Sequence, residues 1–453
     1  MKKQHSALAG LGLASMLVLG GCSAPAEPTV DPDAPVTITV SNKPPADRAE
    51  ELAVFEQRVK DFEDANPNIT VEGSETAWDA QTFQALLAGG ELPTTLVVPF
   101  TEPQSMIERG QIADISAEVE QIGLTDLLNP AALTVAQDGE GNLYGVPVAD
   151  SAYAIGLVYN RALFEEAGLD PDDPPTTWDE VQEDAAAITE ATGVAGYAQM
   201  TTSNTGGWMF SAITYSNGGT VQNDEGTEST FDNDAAHEQL ERLHDMRWND
   251  NSMGSNFIYD MPSISQEFAA GRIGMFIGAP ANYIYASVLN GMSPDNFGMG
   301  PMPQGADAGG TMSGGALQVV SPDATPEQKL AAAKWFAFSL VASTDKDAAV
   351  AAAKAAFDQG LPVGLPGLPV LKNDTYQEYL GWVADYVNVP LENFAPYTDT
   401  VNTIKLTPEP TSKAQEVYAA LDSVVQAVLT DENADIDKLL ADATTNVDAL
   451  LGR

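Results

Sequence analysis

The chain predicts an α/β protein whose sheets are mostly parallel and flanked by helices on both faces. Two observations predict it. First, short β-branched runs alternate with segments of helical period, the pattern that parallel sheets with helical crossovers require. Second, apolar residues make up 44% of 453, and a mature chain of about 430 residues is long enough for two or more cores.

Val36-Thr37-Ile38-Thr39-Val40 is β-branched and runs into the turn-like Ser41-Asn42-Lys43-Pro44-Pro45, so it reads as a strand feeding a loop. Leu52, Phe55, Val59 and Phe62 then recur at helical spacing. Asn66-Pro67-Asn68 stops that helix, and Ile69-Thr70-Val71 begins a second strand. The unit repeats with a helix over 82–88, a break at Gly89-Gly90 and a strand over 95–98. Later, Thr177 and Glu180 have the spacing of a capping box, as do Thr325 and Gln328, where Pro326 suits the first helical position. Residues 231–248 read as an amphipathic helix, 268–277 as a helix end followed by a buried strand, and 297–303 as extended chain. The helix after Pro326 carries Trp335, Phe336 and Leu340.

The beginning of the chain reads as an export signal. Lys2 and Lys3 precede an apolar run from Ala7 to Leu19, which is too short to span a bilayer. Leu19-Gly20-Gly21-Cys22 has the pattern of a lipobox, with Cys22 as the lipidated residue. Residues 1–21 are therefore expected to be a signal peptide, and 22–35, rich in Ala, Pro, Glu and Asp, a tether holding the protein on the outer face of the cell membrane. Cys22 is the sole cysteine, so an intrachain disulfide is excluded. Formal net charge is −45. Phosphate backbones would be repelled, so nucleic acid is not expected as a partner.

Catalytic and metal-binding patterns are missing from the sequence. His5 falls in the leader, and His237 and His244 have no companion ligands in sequence. There is no HExxH, Walker lysine loop, dinucleotide glycine fingerprint or GxSxG elbow. No cofactor or metal is expected. Among 65 acidic residues a glycosidase pair cannot be picked out from sequence.

Several segments resemble the extracellular solute-binding proteins of ABC importers, in particular the carbohydrate-binding family that includes the maltodextrin-binding proteins. They are the stretch from Phe62 to Val71, Phe83 to Pro93, Gly110 to Ile115, Tyr144-Gly145-Val146-Pro147, Val158 to Arg161, Phe164 to Gly168, Pro175 to Glu180, Ala269 to Met275 and Pro301-Met302-Pro303. Their order and spacing carry the resemblance over nearly the whole mature chain. It implies a two-lobed, type II periplasmic-binding-protein-like fold with a hinged cleft. The lobes would be discontinuous, 36–148 with 300–342 and 149–299 with 343–453, crossing near 146–150 and 297–299. It further implies a monomer that binds a mono- or oligosaccharide, catalyses nothing, and delivers its ligand to ABC permease subunits in the membrane.

A neutral sugar offers ring faces and hydroxyls, which call for planar aromatics and polar groups on loops near the crossings. In the first lobe the candidates are Lys43, Trp78 with Asp79, Thr101 with Glu102, and Asp150 with Tyr153 beyond the first crossing. In the second they are Trp208, Asn282 with Tyr283, and Gly314 with Gly315. Trp382, Tyr386 and Tyr397 stand in the C-terminal half without a placement, and the late stacking tryptophan of maltodextrin-binding relatives has no clear counterpart. The same importer role with a polyol phosphate or an amine is the competing reading. A glycoside hydrolase or a surface adhesive protein are the competing classes.

Overall fold

The computed structural model describes residues 34–149, 151–223 and 225–452. Among them, β1 (Val36–Val40), β2 (Ile69–Gly73), β3 (Thr95–Pro99) and β4 (Gly145–Pro147) precede a first crossing that contains β5 (Tyr153–Ala154). Next come β6 (Gly156–Asn160), β7 (Ala195–Tyr197), β8 (Ile273–Gly278) and β9 (Phe297–Gly300). The chain returns through β10 (Thr311–Gly314) and β11 (Ala316–Val320), and β12 (Leu406–Pro408) is added late. Three sheets result, ordered β2-β1-β3-β11-β4, β7-β8-β6-β9 and, where the chain crosses between them, β12-β10-β5.

The sheets are mixed, where the sequence reading had them mostly parallel. β1 pairs in parallel with β2 and β3, but β11 runs antiparallel to both β3 and β4. In the second sheet β6 is antiparallel to β8 and β9. The cause is topological. Strands joined by helical crossovers within a lobe all point toward the hinge, whereas β6 and β11 enter a lobe from the hinge and must oppose their neighbours. The second crossing is also later than expected. β9 pairs with β6 inside the second sheet, Leu157 opposite Gly300 and Asn160 opposite Phe297. The passage between lobes is made instead by Gly314-Gly315-Ala316, with Gly315 at φ +150°, a backbone region that favours glycine.

The local signals form as read. Thr177 Oγ1 accepts from the Glu180 N–H at 3.3 Å while Glu180 accepts from the Thr177 N–H at 3.0 Å. Thr325 and Gln328 do the same at 3.2 and 3.0 Å. The helix Pro326–Ser339 closes the first core by setting Trp335 edge-on against Phe62, ring centroids 5.1 Å apart. In the second lobe the expected long helix is α-helical over Asp234–His244 and continues as a π-helical turn over Asp245–Asn249. Ile38, Val98 and Phe62 lie at the centre of one core, Val158, Phe276 and Phe297 at the centre of the other. A separate small cluster of Ala349, Ala353, Val363 and Val383 takes in Trp382 and Tyr386 at its rim. No described helix is long and apolar enough to cross a membrane.

Candidate functional site

The three-stranded hinge sheet gathers aromatic and acidic side chains from three regions distant in sequence. β10 sits at its middle, antiparallel to β5 with Gly314 opposite Tyr153, and parallel to β12. Glu409 follows β12 directly. Its Oε1 accepts from the Tyr153 hydroxyl at 3.1 Å and its Oε2 from the Tyr418 hydroxyl at 2.9 Å. Gly314 makes this possible. A Cβ built there would stand 2.2 Å from the Tyr153 hydroxyl and 2.8 Å from Glu409 Oε1, so only glycine lets the ring lie across the strand. Burial, opposed by the two tyrosine hydroxyls, raises the Glu409 pKa above the usual carboxylate value. Burial and then the charge of Glu409 push the Tyr153 hydroxyl well up, so it stays a donor.

Trp208 joins from the helix Thr205–Ser216, half-buried and close enough to Tyr153 to oppose slightly the rise of its hydroxyl pKa. The start of that helix is fixed by a second carboxylate. Asp422 accepts from the backbone N–H of Asn204 at 2.8 Å and of Gly207 at 2.7 Å, satisfying donors that a helix N-terminus leaves open. Tyr418 and Asp422 lie one turn apart on the helix Ala414–Thr430. One helix face thus holds both Glu409 and the turn that carries Trp208. The close approach depends on Gly207, where a Cβ would meet the Tyr418 carbonyl oxygen at 2.2 Å.

First-lobe candidates lie on loops at the same end of the first sheet. The Phe100 N–H donates to the Gly315 carbonyl at 3.0 Å, so Thr101 and Glu102 begin beside the crossing. Thr101 Oγ1 donates to Glu102 Oε1 at 3.1 Å, and burial raises the Glu102 pKa. The Lys43 stem passes Gly73. Trp78 packs on Phe83, centroids 4.9 Å apart. Asp79 caps the helix Ala80–Gly89, accepting from the Thr82 N–H at 2.9 Å. Asp150 and Cys22 lie outside the described residues.

Tyr153, Trp208, Gly314 and Gly315 are therefore brought together. Asn282 and Tyr283 are not part of that group. Asn282 is 2% exposed, with Oδ1 accepting from the Ala279 N–H at 2.8 Å and the amide nitrogen 3.4 Å from Ser265 Oγ. Tyr283 is 3% exposed, edge-on to Phe297 and Phe394 at 5.3 and 5.9 Å. Their loop turns inward because a π-helical turn, Ile284–Leu289, follows and docks on the helix Met261–Ala269. Tyr397 is likewise internal, its hydroxyl donating to the Ala154 carbonyl at 3.0 Å. Sequence reasoning missed Glu409 and Tyr418. The available signal was the short run Leu406-Thr407-Pro408, followed by a carboxylate between two prolines and an amphipathic helix. His237 pairs with Asp232 at 2.9 Å and His244 with the Glu432 carbonyl at 2.8 Å. Among the described residues no three His, Cys, Asp or Glu side chains are grouped to hold a metal ion.

Solved structures share this architecture. A cyclic α-maltosyl-1,6-maltose binding protein from Arthrobacter globiformis superposes with TM-score 0.68 at 24% identity, over 92% of this chain and 99% of that one. The sugar-binding protein MalE of Xanthomonas citri gives 0.67 at 18% identity, over 92% and 97%. UgpB of Mycobacterium tuberculosis, in complex with glycerophosphocholine, gives 0.66 at 20% identity, over 92% and 98%. Among curated relatives, a putative binding protein of Brucella abortus is 28% identical over 236 residues, which is 50% of this chain and 54% of that protein. The sn-glycerol-3-phosphate-binding periplasmic protein UgpB of Yersinia pestis is 28% identical over 159 residues, 34% of each. The chain thus spans about half, or less, of the length of the curated relatives it matches. The profile of the bacterial extracellular solute-binding proteins matches residues 46–343, and the chain belongs to that family.

Proposed function

We propose that this protein is the extracytoplasmic receptor of an ABC importer, that it binds a mono- or oligosaccharide between its lobes, and that it hands this ligand to the permease without chemical change. The observation that carries the reading is the half-buried Tyr153 ring with its hydroxyl on the Glu409 carboxylate and Trp208 beside it, the fully buried Tyr418 serving to hold that carboxylate. Rings suit the apolar faces of a sugar, and a carboxylate suits its hydroxyls. Thr101 and Glu102 would supply first-lobe contacts on closure, with Lys43, Trp78, Asp79 and Asp150 further out. Closure about the crossings between the lobes would exclude water from the ligand. Asn282 and Tyr283 would act through packing.

A second reading keeps the importer role with an amine as ligand. It is favoured by the same carboxylate among aromatic rings, which suits an ammonium group. A polyol phosphate would call for convergent basic groups, of which Lys43 is the sole candidate in the set. Thermal shift and calorimetry with saccharides, choline and sn-glycerol 3-phosphate test these readings. Saturable binding of one saccharide class supports the first, and choline binding alone replaces it with the second. For attachment, we propose lipidation of Cys22. Cys22→Ser should then move the protein from the membrane fraction to the soluble fraction, and unchanged membrane retention would refute the anchor.

A further inference from the structure

We propose that Glu409 sets the charge class of the ligand, accepting hydrogen bonds from the hydroxyls of a neutral saccharide while turning away phosphorylated ones. This deepens the carbohydrate reading above and rests on it.

A carboxylate has roughly four acceptor positions. Tyr153 occupies one on Oε1 and Tyr418 one on Oε2. Each oxygen keeps acceptor capacity, and neither bond neutralises the charge, since both donors are hydroxyls. Among the described residues no Lys, Arg or His forms an ion pair with Glu409. The group therefore stands without a counter-charge against Tyr153, whose other neighbour is Trp208. Two tyrosine donors hold its plane, and the missing side chain at Gly314 lets Tyr153 reach it. Sugar hydroxyls donate to such an oxygen with charge-assisted bonds. A phosphate in the same place would bring a second negative charge and no donor, and discrimination by repulsion is as effective as attraction.

The test is calorimetric titration of the full chain and of Glu409→Gln with maltose, glucose, choline, glucose 6-phosphate and sn-glycerol 3-phosphate. The expected result is that the parent binds a neutral sugar and takes phosphates at least about 100-fold more weakly. Glu409→Gln should lose at least about tenfold in sugar affinity and narrow that ratio. Sugar binding with an unchanged ratio in Glu409→Gln overturns the inference alone and leaves Glu409 as an internal anchor for two tyrosines. Choline or phosphate binding by the parent in place of any sugar overturns both the inference and the carbohydrate reading, as does binding of none of them. Should Glu409→Gln not fold, Glu409→Asp keeps the charge on a shorter arm. It should weaken sugar binding yet still exclude phosphates, and phosphate uptake by it would overturn the inference.

Discussion

Tyr153 and Tyr283 are both tyrosines set beside strands near the hinge, and the sequence offers little to tell them apart. The first stands half-buried with its hydroxyl on a carboxylate and a tryptophan at its side. The second is sealed among phenylalanines, its neighbour Asn282 turned inward to hold a backbone N–H. The ring is the same in both places, and what differs is the element that arrives late in the chain. At Tyr153 that element is β12 with Glu409 behind it. At Tyr283 it is the 3-10 turn Leu391–Phe394, which supplies an apolar lid. An aromatic residue is assigned to site or core by what a distant segment lays over it.

The contrast makes graded predictions. Tyr283→Ala should have the largest effect, a loss of about 3–5 kcal/mol in urea unfolding from the cavity left among Phe297 and Phe394, with ligand affinity of the folded protein unchanged. A large affinity loss with little destabilisation would erase the distinction. Trp208→Ala should do the reverse, weakening binding by roughly 30-fold, or about 2 kcal/mol, while the ligand-free melting temperature moves little. Tyr153→Phe removes one hydroxyl from Glu409 and should cost about 1 kcal/mol of affinity by calorimetry, with the aromatic contact kept. No change would mean the Tyr153 hydroxyl plays no part in holding the carboxylate.

The smallest effect sharpens the comparison from outside both clusters. Asp184 is another carboxylate with a raised pKa, about 6, through burial and then the charges of Glu180 and Glu183. No ligand need explain it, because its own helix crowds it. With the folded-state pKa above the ordinary value, ionisation of Asp184 opposes folding. That penalty is full above pH 6 and is relieved as pH falls toward the unfolded-state value near 3.8. Asp184→Asn should therefore raise the melting temperature slightly at pH 7.5, and the gain should vanish below about pH 4. A gain independent of pH would assign the stabilisation to packing.

Much of the fold was legible because its signals are local. The boxes at Thr177 and Thr325 each need four consecutive residues, and the helix through Phe55 and Phe62 needs only its own periodicity. Strand direction was less legible. Nothing within Phe297–Gly300 distinguishes an inter-lobe crossing from a strand pairing with β6, since both are short, apolar and extended. In the site, Tyr153, Trp208 and Gly314 could be named because they sit beside recognisable strands and helix starts. Glu409 and Tyr418 could not, because a carboxylate between prolines and a tyrosine on an amphipathic helix are ordinary until β12 is laid against β10.

The sequence by itself determined the alternation of strands and helices, the helix caps, the family resemblance, and an acidic chemistry without catalytic or metal-binding motifs. All of these depend on spacing within a few turns or on composition. The tertiary structure alone decided which aromatics face a carboxylate and which face one another, and where the chain crosses between lobes. Those outcomes depend on contacts between segments more than two hundred residues apart, such as Tyr153 with Glu409 and Gly207 with Asp422. Only when β12 joins the hinge sheet and the helix Ala414–Thr430 docks does a scattered set of polar and aromatic residues become one site.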